Sequence, residues 1–217
     1  MPLKNITIAD IGVRIPQNIY CVGRNYGTHA KELGNAIPTA PIIFLKSLSS
    51  LRALASGALA FTEETFHYEA ELVLSLKTAV SLGSKCGWEV VEAIGLGIDL
   101  TRREIQNNLK REGMPWTVAK SFTGSALVSE FSLYKEGTPL EDLSFSLKIN
   151  GTLRQEGHPG DMIFDVPTLL SYLATFNELA PADLVFTGTP AGVGTIHRGD
   201  TFELEFPCLG KNYLGKL

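Results

Sequence analysis

The chain has 217 residues, 44% of them hydrophobic and 19% charged, with a net charge of −4 and a pI near 5.6. This is the composition of a globular protein with a sizeable core, and its acidic balance argues against a nucleic-acid or anionic-membrane partner, either of which needs a basic surface. No apolar run approaches the roughly 20 residues that cross a bilayer.

In chain order, Met1-Pro2-Leu3-Lys4-Asn5 has neither a signal core nor an Arg-rich amphipathic character, so a cytoplasmic location is expected. Asn18–Val22 reads as a strand that buries Cys21 and leads into Gly23–Gly27; Cys21, Cys86 and Cys208 form no CxxC or disulfide pattern and suggest free thiols. Thr28–Leu33 is expected to be a short helix, capped by Thr28 and ended by Gly34. Pro41 opens a strand, Ile42–Lys46, and Phe66–Leu76 follows as a strand with acids in its first half. Trp88–Ala93 predicts a short helix, then a strand Ile94–Ile98 ends at Asp99. Thr101-Arg102-Arg103-Glu104 is a capping-box pattern opening a helix to about Glu112, broken by Gly113 and Pro115.

Farther on, Asn150-Gly151 between Phe145–Ile149 and Thr152–Gln155 signals a hairpin. Asp165–Phe176 has helical spacing with Asp165 as cap and Pro167 in the first turn. Leu184–Phe186 is a buried strand emptying into the Gly-rich loop Thr187–Gly194, and Thr201–Phe206 alternates and closes the sheet. With no linker or repeat, residues 1–217 read as a single domain. Irregularly interspersed helices make it α+β, not a regular βαβ winding.

On the acidic strand, the two-residue period puts His67, Glu69 and Glu71 on one face. Two carboxylates aimed at one place repel each other, and oxygen donors suit a hard dication such as Mg²⁺ or Mn²⁺. A solvated acidic edge strand is the competing reading. Asp99 is a third carboxylate at a strand end, with a helix-approach acid as the alternative. His67 reads equally as a ligand or supporting partner of the metal, or as a hydrogen-bonded structural histidine. His29 and Glu32, three apart on one helix, are either a base with its orienting carboxylate or a solvated contact. Arg24, Lys46, Arg103 and Lys120 lie near strand ends, glycines or acids, in place to bind a carboxylate or oxyanion or simply to face solvent. The amides of Gly188–Gly194 suit an anion, although the loop lacks a P-loop pattern.

Together, Cys21-Val-Gly-Arg-Asn-Tyr26, His29-Ala-Lys-Glu32, Phe44-Leu-Lys46, His67-Tyr-Glu-Ala-Glu-Leu72, Asp99-Leu-Thr-Arg-Arg-Glu-Ile-Gln106, Pro115-Trp-Thr-Val-Ala-Lys-Ser-Phe122, Arg154-Gln-Glu156 and Thr187-Gly-Thr-Pro-Ala-Gly-Val-Gly194 resemble the fumarylacetoacetate hydrolase family, in order along nearly the whole chain. The likeness is to its short branch of acylpyruvases, fumarylpyruvate hydrolases and oxaloacetate decarboxylases or tautomerases. The resemblance implies a mixed β-sandwich roll with short peripheral helices, a homodimer, and Mg²⁺ (or Mn²⁺) on Glu69, Glu71 and Asp99. It implies His29, Glu32 and Lys120 as catalytic residues, and Arg24, Lys46, Arg103, Gln106 and Thr189 as contacts to a small 2-oxo acid. The expected reaction is hydrolysis of the C3–C4 bond of an acylpyruvate. Decarboxylation or tautomerisation of oxaloacetate is the alternative within the same site. A non-catalytic 2-oxo-acid binder and a glycosidase with paired carboxylates are rivals from other classes.

Overall fold

The structure, a computed structural model, describes residues 5–27, 37–54 and 65–217. The expected helix over 28–33, with His29 and Glu32, lies outside them. The described residues form four sheets: two ribbons, Ile6–Ile8 with Gly12–Arg14 and Thr65–Tyr68 with Gly194–His197, and two larger sheets. The larger is mixed and runs, edge to edge, Ile42–Lys46, Ile19–Gly23, Leu184–Phe186, Ala70–Leu76, Val91–Asp99, Ala126–Val128 and Leu51–Ala53, with Ser132–Leu133 also pairing on Val91–Asp99. The smaller is antiparallel, in the order Thr152–Gly157, Phe145–Ile149, Thr201–Phe206 and Lys211–Lys216. The helices are short and few, which makes the class α+β. None among the described residues is long and apolar enough to cross a membrane.

All seven residues of Ala70–Leu76 are buried, because both faces of the central sheet are covered. Leu72, Leu74 and Leu76 point into one core with Ile94, Leu96, Leu170 and Phe206. Val73 points into a second core on the other face, with Cys21, Ala126 and Phe186. Each fully buried leucine contributes about 1.5–3 kcal/mol, so the centre of the sheet is its most strongly held part. Such a strand is a rigid base for functional side chains at its ends.

The expected single strand Phe66–Leu76 is two strands, Thr65–Tyr68 and Ala70–Leu76, with Glu69 at the break. The first pairs with Gly194–His197, the second with Leu184–Phe186 and Val91–Asp99, so the chain changes partners at Glu69. Trp88–Val90 is a 3₁₀ turn, not the start of a helix to Ala93, and the strand begins at Val91. The helix after Asp99 is Arg103–Glu112 and closes on Gly113 in the left-handed region, φ 68°. The expected capping box is absent: Arg102 is the N-cap and no side chain caps it. Thr101 is buried, its hydroxyl bonded to the Asp99 carbonyl at 3.2 Å, because the site claims it.

The Asn150-Gly151 hairpin forms, both residues at positive φ (50° and 75°), as a two-residue primed turn requires. Asp165 caps the helix Val166–Leu173 by accepting the Thr168 amide at 2.9 Å. That helix stops short of the expected Phe176, which is exposed. Thr201–Phe206 does not close the sheet, since Lys211–Lys216 pairs outside it.

Candidate metal centre and substrate pocket

Antiparallel pairing of Ala70 with Ile98 and Glu71 with Gly97 sets Asp99 opposite Glu69, and the Asp99 amide donates to the Glu69 carbonyl at 2.8 Å. Residues directly opposite in such a ladder share a face, as do residues two apart on a strand. Glu69, Glu71 and Asp99 therefore converge, with one carboxylate oxygen from each within 4.8 Å of the others, all three residues buried. Gly97 leaves the room: a Cβ there would lie 2.7 Å from Phe186 and 2.8 Å from Val73.

Lysines serve two of these acids. Lys120, at the end of the short helix Thr117–Lys120, donates from Nζ to Glu69 Oε2 at 2.6 Å, Asp99 Oδ2 at 2.7 Å and Thr101 Oγ1 at 2.7 Å. Burial pulls its ammonium down, but Asp99 and Glu69 together outweigh burial, and the group titrates above its ordinary value. In the metal-free protein these acids favour the ammonium form, which can donate hydrogen bonds. Arg103 bonds Glu69 Oε1 and Gln106 Oε1. Lys46, expected to meet substrate, lies fully buried behind the acids: its Nζ is 2.7 Å from Asp99 Oδ1 and donates to Ser125 Oγ at 3.0 Å and to the Lys120 carbonyl. Its position makes it a support for Asp99 and Lys120, because the end of a buried strand delivers the side chain under the site.

Glu71 is different. Its hydrogen-bond partner among the described residues is the Gly188 amide, 2.7 Å from Oε2. The anion that the Gly-rich loop cradles is thus the protein's own carboxylate. Gly188 sits at φ 103°, and a Cβ would approach Asn25 Cβ to 2.7 Å. Burial first, then Asp99 and Glu69, push the Glu71 carboxyl well above the usual range. Among the described residues, Asp99 Oδ1 makes no hydrogen bond despite its ion-pair distance to Lys46. A carboxylate short of positive charge, a buried oxygen with a free lone pair and an all-oxygen donor set fit a hard divalent cation.

His67 stays out of this group. It is half-buried, with Nδ1 unpartnered among the described residues and Nε2 3.4 Å from Thr195 Oγ1, and burial followed by Arg103 lowers its pKa. Around the acids a pocket is lined by Arg24, Phe44, Arg103, Gln106, Lys110, Trp116, Lys120 and Thr189. Arg24 adopts φ 59°, uncommon for a residue with a side chain, and its Nε is buried without a hydrogen-bond partner among the described residues. Thr189 faces the pocket, but its hydroxyl is engaged by the Ala70 carbonyl at 2.9 Å and by Gln155 at 2.8 Å. A larger, mainly apolar groove runs along Ile42–Lys46 beside Met114 and Trp116; Lys46 is its one charged lining residue, and the acid cluster is elsewhere.

Residues 18–214 match the family model described as fumarylacetoacetate (FAA) hydrolase C-terminal. The chain belongs to the fumarylacetoacetate hydrolase family. Among the similar family members is the mitochondrial oxaloacetate tautomerase FAHD1 of Bos taurus, 37% identical over 190 residues, covering 86% of each chain. The mitochondrial oxaloacetate decarboxylase of Dictyostelium discoideum is 35% identical over 190 residues, 86% of this chain and 87% of the other. The crystal structure of fumarylpyruvate hydrolase from Pseudomonas aeruginosa in complex with Mn²⁺ and pyruvate superposes with a TM-score of 0.89, at 31% identity, over 100% of this chain and 97% of that one. The chain is an enzyme of this family, with a fold of mixed sheets and few short helices.

Several buried polar residues shape the site without having been assigned a role from the sequence. Asn25 donates to the Phe164 and Thr187 carbonyls and accepts the Phe164 amide, tying the Arg24 loop to the Gly-rich loop. Gln155 clamps the Ala70 amide, Thr189 and the Pro190 carbonyl. Thr101 and Ser125 receive the two lysines. The available signal was weak: in Gln155 it is one buried polar side chain on a strand whose other side chains are exposed.

Proposed function

We propose that this enzyme interconverts the keto and enol forms of oxaloacetate. The observation that carries the reading is the Lys120 ammonium, locked between Glu69 and Asp99 at 2.6 and 2.7 Å beside the metal donors. Tautomerisation moves a proton between C3 and the 2-oxo oxygen through an enolate, so a fixed positive charge beside that oxygen lowers the barrier. Glu69, Glu71 and Asp99 would hold Mg²⁺ or Mn²⁺, which when bound supplies Lewis-acid polarisation of the 2-oxo group. Lys120 donates a hydrogen bond to the developing oxyanion, while the C3 proton passes to water in the pocket and water returns a proton to the 2-oxo oxygen. Arg24 and Gln106 orient the substrate carboxylate from the pocket wall, while Arg103 holds Glu69 in place. The oxaloacetate tautomerase and decarboxylase names of the relatives support this choice of substrate.

A second reading, hydrolysis of an acylpyruvate at C3–C4, is favoured by the likeness to fumarylpyruvate hydrolase. It needs an activated water in addition, the task assigned to His29 with Glu32. The deciding experiment follows the ultraviolet absorbance of the oxaloacetate enol with metal-loaded and chelator-treated enzyme, beside pyruvate release from acetylpyruvate and fumarylpyruvate. Metal-dependent acceleration of enol decay supports tautomerisation. Pyruvate release with no such acceleration sinks it in favour of hydrolysis. In that case His29→Ala should abolish hydrolysis, since only that reaction requires the water. A homodimer in solution is part of the proposal, to be read by light scattering.

A further inference from the structure

Resting on the 2-oxo-acid reading above, we propose that Lys110 is the specificity-determining contact for a second, distal carboxylate, so that the pocket selects dicarboxylic 2-oxo acids over those with neutral tails.

Arg103, Gln106 and Lys110 stand at i, i+3 and i+7 on the helix Arg103–Glu112, and all three line the metal-site pocket. That spacing keeps them on one face. Neighbouring Asn107, Asn108 and Arg111 are exposed, whereas Lys110 is half-buried. Its Nζ lies 5.2 Å from the centroid of Trp116, another wall of the same pocket. Trp116 is itself fixed, packed on Phe44 at 5.9 Å between ring centroids and tight against Gly23. The ammonium is therefore carried on a rigid aromatic shelf at the pocket.

Glu69 is taken by Arg103 and Lys120, and Asp99 by Lys46 and Lys120. Among the described residues Lys110 has no ion-pair partner. Burial first, and after it the positive excess of Arg103 and Arg24, push it down to about 8. A dication in the acid cluster deepens that excess. An anion entering the pocket relieves it, and a 2-oxo acid with a single carboxylate at the metal end leaves Lys110 unmatched. A dicarboxylate meets both ends.

Malate and lactate test this directly, because they share a 2-hydroxy acid head and differ in the distal carboxylate. Calorimetric binding to the Mn²⁺-loaded enzyme should show malate the tighter ligand. Lys110→Met should weaken malate about tenfold, the size of one charge-assisted contact, and change lactate by less than about twofold. Lys110→Arg, which keeps the charge and the aromatic contact, should retain most of the malate affinity. In kinetics, Lys110→Met should raise KM for oxaloacetate and leave acetylpyruvate unaffected. Equal losses for malate and lactate, an unchanged malate affinity, or a wild-type enzyme that does not prefer malate would each overturn the proposal. Should the enzyme turn over no 2-oxo acid, the functional reading fails, while the malate–lactate pair still judges Lys110.

Discussion

The amide of Asp99 donates to the carbonyl of Glu69 at 2.8 Å, and with the Glu71–Gly97 pairing it sets three carboxylates on one face of one sheet. The acid cluster is thus a product of strand register. Shifting that register by one residue would turn each strand's side chains to the opposite face.

Gly97→Ala tests that dependence. The new methyl meets Phe186, Val73 and the Leu127 carbonyl, all under 3.0 Å from it. Overpacking of this kind costs about 1–3 kcal/mol. Urea unfolding should show that loss, and calorimetry should show weakened Mn²⁺ binding as the two strands part. Unchanged stability would mean the sheet yields more easily than its packing implies.

Lys120→Met leaves Glu69 and Asp99 without their shared cation. Breaking a buried ion pair from one side costs about 3–5 kcal/mol, so the metal-free variant should unfold at much lower urea than the wild type. Saturating Mn²⁺ should restore more stability to the variant than to the wild type, because the added charge replaces the lost one. Turnover should fall by about 10²–10³, the scale for removing one oxyanion donor.

The metal-free enzyme should lose stability as pH rises. Glu71 in the fold holds its proton well above the ordinary value of 4.5, driven by burial and then by Asp99 and Glu69. A carboxyl with a raised folded pKa binds more protons in the folded than in the unfolded state. Its contribution is complete below the unfolded value and disappears as pH climbs through the folded one. Glu71→Gln, which cannot ionise, should flatten that part of the profile. Metal affinity should rise over the same interval, since the donors must be deprotonated. Denaturation midpoints across pH, with and without Mn²⁺, check both signs.

Gln155→Leu should cost about 1–3 kcal/mol, the penalty for leaving buried polar partners unsatisfied. The orphaned groups would be the Ala70 amide and the Pro190 carbonyl, on both sides of the site, while the Thr189 hydroxyl would keep only its bond to the Ala70 carbonyl. A thermal melt reads the stability loss. Mn²⁺ titration should also show a weaker site, because Ala70 lies between two of the three donors.

Local chemistry was legible in the residues themselves. The Asn150-Gly151 turn, the Asp165 cap, the Gly113 stop and the buried run from Leu72 each follow from backbone sterics or short-range periodicity, and each formed. Glu69 and Glu71 shared a face for the same reason. What the residues left open needed partners far along the chain. Asp99 joins the glutamates only through the ladder, and Lys120 reaches Glu69 across 51 positions. Thr101 looked like a helix cap and instead receives Lys120, because a buried ammonium needs an acceptor more than an exposed helix end needs a cap. Lys46 looked like a substrate contact and is sealed beneath Asp99. Periodicity acts over a few residues, so the chain alone determined which groups face together within an element. Register and burial act between elements, and only the folded sheet decided which of those faces meet and which charges are left to receive a ligand.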